Sequence, residues 1–424
     1  MAVAERLPDH VHPLVASLRD GAIDEAGFWA RVAEMRTPLI EPNPASPGYS
    51  LVTYVFPAPP EARHVAVQAG IGGALENLMG RVAGTNVCHA SYSYRNDVRT
   101  SYSFAPDMPL IAFDDASAAE LKQLIAFFAE SAPASDPHHR EFFVSRAGEG
   151  LPDDVISFVS LPEAPDEAAA HKRPEIARGW IEKHTFRSEL MGNERNVWVY
   201  TPPGYDASGD QTYPLLVAFD GGWALTRVPT QRLLDSLLAD GRIRPAIAVF
   251  IDNPTPDSRN VELPCNETFA RFVEEELLPW VRQGYRISEG PADHFVTGAS
   301  YGGLAAMWFG FRLSHIFGNV ISQAASLWWG PGFRMDVPRS AGGYPPEWLI
   351  AQYRASPRLP VRFWMEVGLM EPSALMIEPN RRMRALLEEK GYDVTYSEPC
   401  GGHDTALWRG TLAKALAKML APMA

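Results

Sequence analysis

The run Gly298-Ala299-Ser300-Tyr301-Gly302-Gly303 constrains this chain more than any other stretch. A short apolar run of β texture, His294-Phe295-Val296-Thr297, precedes it, and the helical run Leu304-Ala305-Ala306-Met307-Trp308-Phe309 follows. A serine framed by glycines between strand and helix sits on a turn with no room for side chains at 298 and 302. Such a turn holds the hydroxyl of Ser300 at the mouth of a site, which predicts a nucleophile. The plain alternative is a serine that only caps the helix. The surrounding pattern has to separate the two.

After about residue 178, strands and helices alternate. Strands are predicted at 196–201, 214–219, 246–251, 294–297, 320–324, 362–367 and 394–398. Helices are predicted at 230–238, 266–282, 303–313, 381–390 and 405–420. The 266–282 run puts Phe269, Phe272, Val273, Leu277, Trp280 and Val281 on one face. Alternation of this kind implies a mostly parallel sheet with helices on both faces, an α/β-hydrolase-like catalytic domain.

A serine hydroxyl is a weak nucleophile and needs a base, itself oriented by an acid. In this architecture the chain order is serine, acid, histidine. Of eleven histidines only His315 and His403 follow Ser300. His315 closes the helix that begins at the elbow, roughly 20 Å away at 1.5 Å per residue. His403 lies in Pro399-Cys400-Gly401-Gly402-His403-Asp404, between the last strand and the last helix, and is the predicted base. The acid should follow the second strand beyond the elbow. Glu371 is the choice, with Glu366 in the strand and Asp404 beside the base as weaker candidates and a Ser–His dyad left open. For the oxyanion hole, one backbone N–H should come from Tyr301 and another from Gly221 or Gly222, in the loop Asp220-Gly221-Gly222-Trp223 after the strand 214–219.

The first part of the chain has a different texture. Residues 1–35 read as short helices with Leu14, Leu18, Phe28 and Val32 on apolar faces. Residues 36–160 read as a β-sandwich of Ig-like type, interrupted by a helix at 116–130. Residues 161–177, rich in Pro, Ala and charge, read as a linker to the esterase domain at 178–424. Adjacent His138 and His139 point apart on most backbones, so Asp136–Arg140 is not read as a metal site. No Gly-rich phosphate loop and no His-Glu-x-x-His occurs, so no metal and no cofactor is implied.

The net charge is −13. Residues 1–175 carry 13 Lys+Arg against 24 Asp+Glu, a balance of −11, and the remainder carries 25 against 27, a balance of −2. That balance excludes nucleic-acid and anionic-membrane binding as primary roles. Without an apolar run near 18 residues or a secretory leader pattern, and with three widely spaced cysteines, the expected location is cytoplasmic.

Several motifs together resemble the enterochelin (enterobactin) esterases of the Fes type. They are Arg81-Val82-Ala83-Gly84-Thr85-Asn86-Val87, Arg99-Thr100-Ser101-Tyr102, Arg259-Asn260-Val261-Glu262-Leu263-Pro264-Cys265-Asn266, the elbow, Ser322-Gln323-Ala324-Ala325-Ser326-Leu327-Trp328-Trp329, and Gly401-Gly402-His403-Asp404 with Trp408-Arg409. The resemblance covers roughly residues 26–424. It implies hydrolysis of the serine trilactone of a catecholate siderophore, releasing dihydroxybenzoyl-serine and helping to free iron inside the cell. Iron would enter only as part of the substrate. A ferric tris-catecholate is an aromatic trianion, so the resemblance further implies substrate contacts from Arg259, Glu262, Arg409, Trp328 and Trp329. The chain departs from the family's pattern at Gly222-Trp223 and at Ala324-Ala325-Ser326. A general carboxylesterase of the esterase-D type and a non-catalytic siderophore or carbohydrate binder are the competing readings.

Overall fold

The structure, a computed structural model, describes residues 2–69, 76–111, 117–131, 133–145, 154–334, 337 and 342–422. Among the described residues, the first part holds the strands β1 (Ala4–Arg6), β2 (Leu39–Pro42), β3 (Tyr49–Pro57), β4 (Val65–Gln68), β5 (Gly80–Arg81), β6 (Val87–Arg95), β7 (Arg99–Pro106), β8 (Glu141–Ser145) and β9 (Asp154–Ser160). One sheet runs β1-β6-β3-β2 with β5 beside β6, and the second runs β4-β7-β9-β8. Buried aromatics join them. The rings of Tyr54 and Tyr102 lie 4.8 Å apart and those of Phe56 and Phe104 4.4 Å apart. Both sheets thus share one apolar core, in which Val52, Val67, Tyr92 and Phe104 are fully buried.

The first 35 residues are not a separate helical unit. Ala4–Arg6 pairs antiparallel with Tyr92–Tyr94, a strand too short to leave a period in the sequence. The helices Pro13–Arg19 and Glu25–Met35 do bury Leu14, Leu18, Phe28 and Val32, against Leu39, Val55 and Val87 of the first sheet. The predicted 116–130 helix spans Ala118–Glu130, capped by Ser117 and Glu120; residue 116 lies outside the described residues. At 136–140 the polar groups serve packing. Asp136 accepts from the Tyr102 hydroxyl at 2.7 Å, and His138 stacks on Trp29.

Residues 161–177 connect the two parts and are themselves anchored. Leu161 and Glu163 donate their N–H groups to Val98 and Asn96, and Ala170 is buried in the core of the second part.

The second part is an eight-stranded sheet in the order β10-β11-β13-β12-β14-β15-β16-β17. Its strands are Trp180–Ser188, Asn193–Thr201, Leu215–Phe219, Ile247–Ile251, His294–Ala299, Asn319–Gln323, Arg362–Glu366 and Asp393–Ser397 in chain order, β10 to β17. The hairpin β10–β11 and its pairing to β13 are antiparallel, and every pairing from β13 to β17 is parallel. The strand β10 escaped the sequence pattern because it is an edge strand whose charged residues face solvent. Strands β12, β13 and β15 are buried along their whole length, as a sheet covered on both faces requires. In such a sheet, ligands bind at the carboxyl ends of the strands. β14 lies in the middle, and the elbow is at its carboxyl end.

Candidate active site

Ser300 follows β14 and precedes the helix Tyr301–Arg312, with φ 59° and ψ −120°. A non-glycine residue in that region is strained, and strain of this kind concentrates at functional positions. The neighbours account for the glycines. A Cβ on Gly298 would lie 2.5 Å from the Gly302 carbonyl carbon, and one on Gly303 would lie 2.7 Å from the Gln323 oxygen. The Ser300 N–H donates to the Gln323 carbonyl at 3.0 Å, which ties the turn to β15. Its hydroxyl is 3.5 Å from the Ser326 hydroxyl and opens onto a cleft of about 1850 Å³ that His403 and Glu371 also line.

Glu371 Oε2 accepts from His403 Nδ1 at 2.7 Å. The carboxylate side chain is fully buried, while the imidazole is 38% exposed toward the cleft. The other Glu371 oxygen accepts the Gly368 N–H at 3.2 Å. With Nδ1–H held in this way, the imidazole presents Nε2 as an acceptor. Trp408 packs edge-on against the ring at 4.9 Å.

The two weaker acid candidates have other partners. Glu366 is buried in β16 and accepts from Gln323 Nε2 at 2.9 Å and from the Thr411 hydroxyl. Burial pushes its carboxyl up to about 7. Asp404 caps the helix Thr405–Met419 through the N–H groups of Ala406 and Leu407. His315, the histidine set aside on distance, pairs with Glu274 at the surface.

Gly221 and Gly222 open the short helix Gly221–Thr226, entered through Asp220 at φ 53°. Tyr301 likewise opens its helix. First-turn N–H groups have no acceptor within their own helix and point out of its N-terminal end. Glycine at 221 has a packing reason. A Cβ there would meet the β13 backbone at 2.9 Å. The Gly222 N–H points to Asp252 at 3.4 Å.

The expected substrate contacts divide sharply. Arg259 lines the cleft, but its fork is taken by Asp220, at 2.6 Å and 2.9 Å. Glu262 faces away from the cleft, buried against Arg195 at 2.9 Å and 3.0 Å and against Asn193. That ion pair, with Arg195 fully buried, explains the residue without a ligand. Arg409 is also diverted. It lies over the Phe143 ring at 4.5 Å and 3.8 Å from Glu167, bracing the last helix against the first domain and the connecting segment. Trp328 packs against Phe333 and Tyr301, and Trp329 against Trp348, and neither lines the cleft. The indoles that line the cleft are Trp223 and Trp408, T-shaped at 5.4 Å. Trp223 could have been found from its place directly after the predicted oxyanion glycines. Ser101 and Tyr102 stand in a motif of the resemblance but were given no role there, and nothing in the sequence pointed to Ser103, Ser135 and Ile156; all five close the cleft from the first domain.

Comparison with known proteins agrees with this anatomy. The Esterase family model matches residues 188–419, and the model of the enterochelin esterase N-terminal domain matches residues 52–170. An iron(III) enterobactin esterase of Dickeya dadantii is 28% identical over 417 residues, 92% of this chain and 91% of that protein. That of Escherichia coli K12 is 29% identical, over 81% and 82% of the two chains. The crystal structure of the enterobactin esterase FES from Shigella flexneri, in the presence of enterobactin, superposes with a TM-score of 0.71 at 27% identity, covering 93% of this chain and 98% of that one. The chain therefore belongs to the Esterase family, in its enterochelin esterase branch, and is a carboxylic ester hydrolase.

Proposed function

We propose that the chain hydrolyses the trilactone backbone of a catecholate siderophore of the enterobactin kind through an acyl-enzyme on Ser300. The observation that carries the reading is that the strained Ser300 and the hydrogen-bonded His403–Glu371 pair line one cleft, walled by both domains. His403 Nε2 takes the Ser300 proton as Oγ adds to a lactone carbonyl. The N–H groups of Tyr301 and Gly221 receive the developing oxyanion, the Gly222 N–H being directed at Asp252. Collapse releases the serine hydroxyl of the ring, protonated by His403, and leaves the acyl group on Ser300. Water then enters, gives its proton to His403 and frees the carboxylic acid. These steps use no cofactor, and any iron arrives with the substrate.

The aromatic catechol amide would lie on Trp223 and Trp408 and against Tyr102, with Arg259 at the rim. We read the N-terminal sheets as an Ig-like sandwich that serves as the second wall for so large a substrate. No helix among the described residues is long and apolar enough to cross a membrane, and a cytoplasmic location suits an enzyme that frees iron from an imported ligand.

Ser300→Ala, assayed with ferric and iron-free trilactone, is the test. Loss of cleavage with binding retained is expected, and hydrolysis at the wild-type rate would end the proposal.

A further inference from the structure

The first domain touches the catalytic loops as well as the cleft. Arg99 donates its N–H to the Cys400 carbonyl at 3.1 Å. A Cβ on Gly401 would lie 2.5 Å from the Arg99 oxygen, so the loop carrying His403 lies flat on strand β7. On its other side, the Leu369 and Met370 N–H groups donate to Pro399 and Gly401 at 2.9 Å and 3.0 Å. A side chain at Gly368 would collide with the Gly401 carbonyl. The loop of the base is therefore clamped between β7 and the loop of the acid. Met370 and Cys400 even belong to the apolar core of the first domain.

Side-chain bonds from the first domain reach this loop, from the Arg95 guanidinium to Cys400 Sγ and, next to the base, from Thr100. Thr100, fully buried in β7, donates its hydroxyl to Asp404 Oδ2 at 2.8 Å. The other oxygen of the same carboxylate accepts the N–H groups of Ala406 and Leu407 at 2.8 Å and 3.3 Å. Asp404 thus links the strand of one domain to the first turn of the last helix of the other. His403 is its immediate neighbour, and its ring is fixed at Nδ1 by Glu371 but stays open to the cleft on the other side. Rotation of the 400–404 loop would move the imidazole off Glu371 and change where Nε2 lies in the cleft it shares with Ser300.

We propose that Thr100 is a positioning residue for the base: its hydroxyl, given to Asp404 across the domain interface, holds the 400–404 loop where His403 meets Glu371 in the cleft it shares with Ser300. The first domain then acts on the chemistry itself as well as on substrate binding. This rests on the assignment of Ser300 and His403 made above. It predicts that Thr100 matters for an ester too small to reach the first domain's wall.

The test uses the full-length protein and a short p-nitrophenyl ester. Thr100→Val keeps the volume and removes the donor. Its kcat should fall by about 10- to 100-fold, as a displaced catalytic group would cause, with KM within about twofold of wild type. Thr100→Ser, which restores the hydroxyl, should recover most of kcat. A folded Thr100→Val enzyme with kcat within twofold of wild type overturns the proposal, and so does a loss confined to KM. Should the valine fail to fold, Thr100→Ala is read in its place; if that also unfolds, the hydroxyl is an interface strut and the positioning role is refuted. Ser300→Ala in the same assay separates the two readings. Its activity at the wild-type level would refute the nucleophile rather than the role of Thr100.

Discussion

Glu371 Oε2 lies 2.7 Å from His403 Nδ1, and the carboxylate side chain is buried while the imidazole reaches the cleft. The carboxylate is therefore placed to fix the tautomer and orientation of the ring, with its own side chain out of contact with solvent. Glu371→Gln preserves shape but presents an amide that cannot stabilise an imidazolium. Its kcat should fall roughly 10³-fold with KM little changed. Steady-state kinetics on a simple ester decides this, and a loss well under tenfold would indicate that Ser300 and His403 suffice as a dyad.

Trp223 stands in the cleft wall against Trp408. Trp223→Ala removes an aromatic surface worth about 1 kcal/mol in ring contacts beyond its area burial. KM for a catechol-bearing ester should rise about five- to tenfold, while that for a p-nitrophenyl acetate changes by less than twofold. Trp329→Ala, outside the cleft lining, should leave the ratio of the two KM values unchanged.

Glu262 is bound up with Arg195 in a buried pair. Truncation to alanine leaves a fully buried guanidinium without its counter-charge, and such losses cost about 3–5 kcal/mol. Urea unfolding of Glu262→Ala should reveal a destabilisation of that order, with KM of the folded fraction unchanged. A raised KM without lost stability would restore the substrate contact expected from the sequence resemblance.

Glu366 gives the fold a pH dependence of definite sign. Its carboxyl is raised to about 7 by burial, so the folded state holds this proton more tightly than the unfolded chain does. Its contribution to stability is complete below the usual glutamate range and declines as pH rises through about 7. Thermal unfolding of Glu366→Gln at pH 5 and pH 9 measures this. Relative to wild type, the variant should gain roughly 2–3 kcal/mol at the higher pH.

Local rules accounted for the elements that hold one residue at a time. The elbow was legible because glycine is required at 298 and 303, where a Cβ would press on backbone at 2.5 Å and 2.7 Å; at 302 the nearest atom is an Asp220 carboxylate oxygen at 3.2 Å, so the crowding expected there is milder. His403 and Glu371 were legible because chain order and strand ends confine where a base and an acid can sit. β10 and the strand Ala4–Arg6 were not legible, since an exposed edge and a three-residue pairing carry no hydrophobic period.

The partners of long polar side chains lay beyond the sequence. An arginine has the same residue code whether its fork meets a ligand, as expected of Arg259 and Arg409, or meets Asp220 and Phe143, as the fold has it. Glu262 and the two tryptophans outside the cleft lining follow the same logic, because burial and pairing depend on which elements fold against each other. Ser300 and His403 were thus marked out as candidates by the order and local texture of the chain, which left the acid among Glu371, Glu366, Asp404 and none; the hydrogen bond from His403 singles out Glu371 as its partner. What lines the cleft, and the clamp of β7 on the loop of the base, came only with the packing of the two domains, since those contacts join residues some three hundred positions apart.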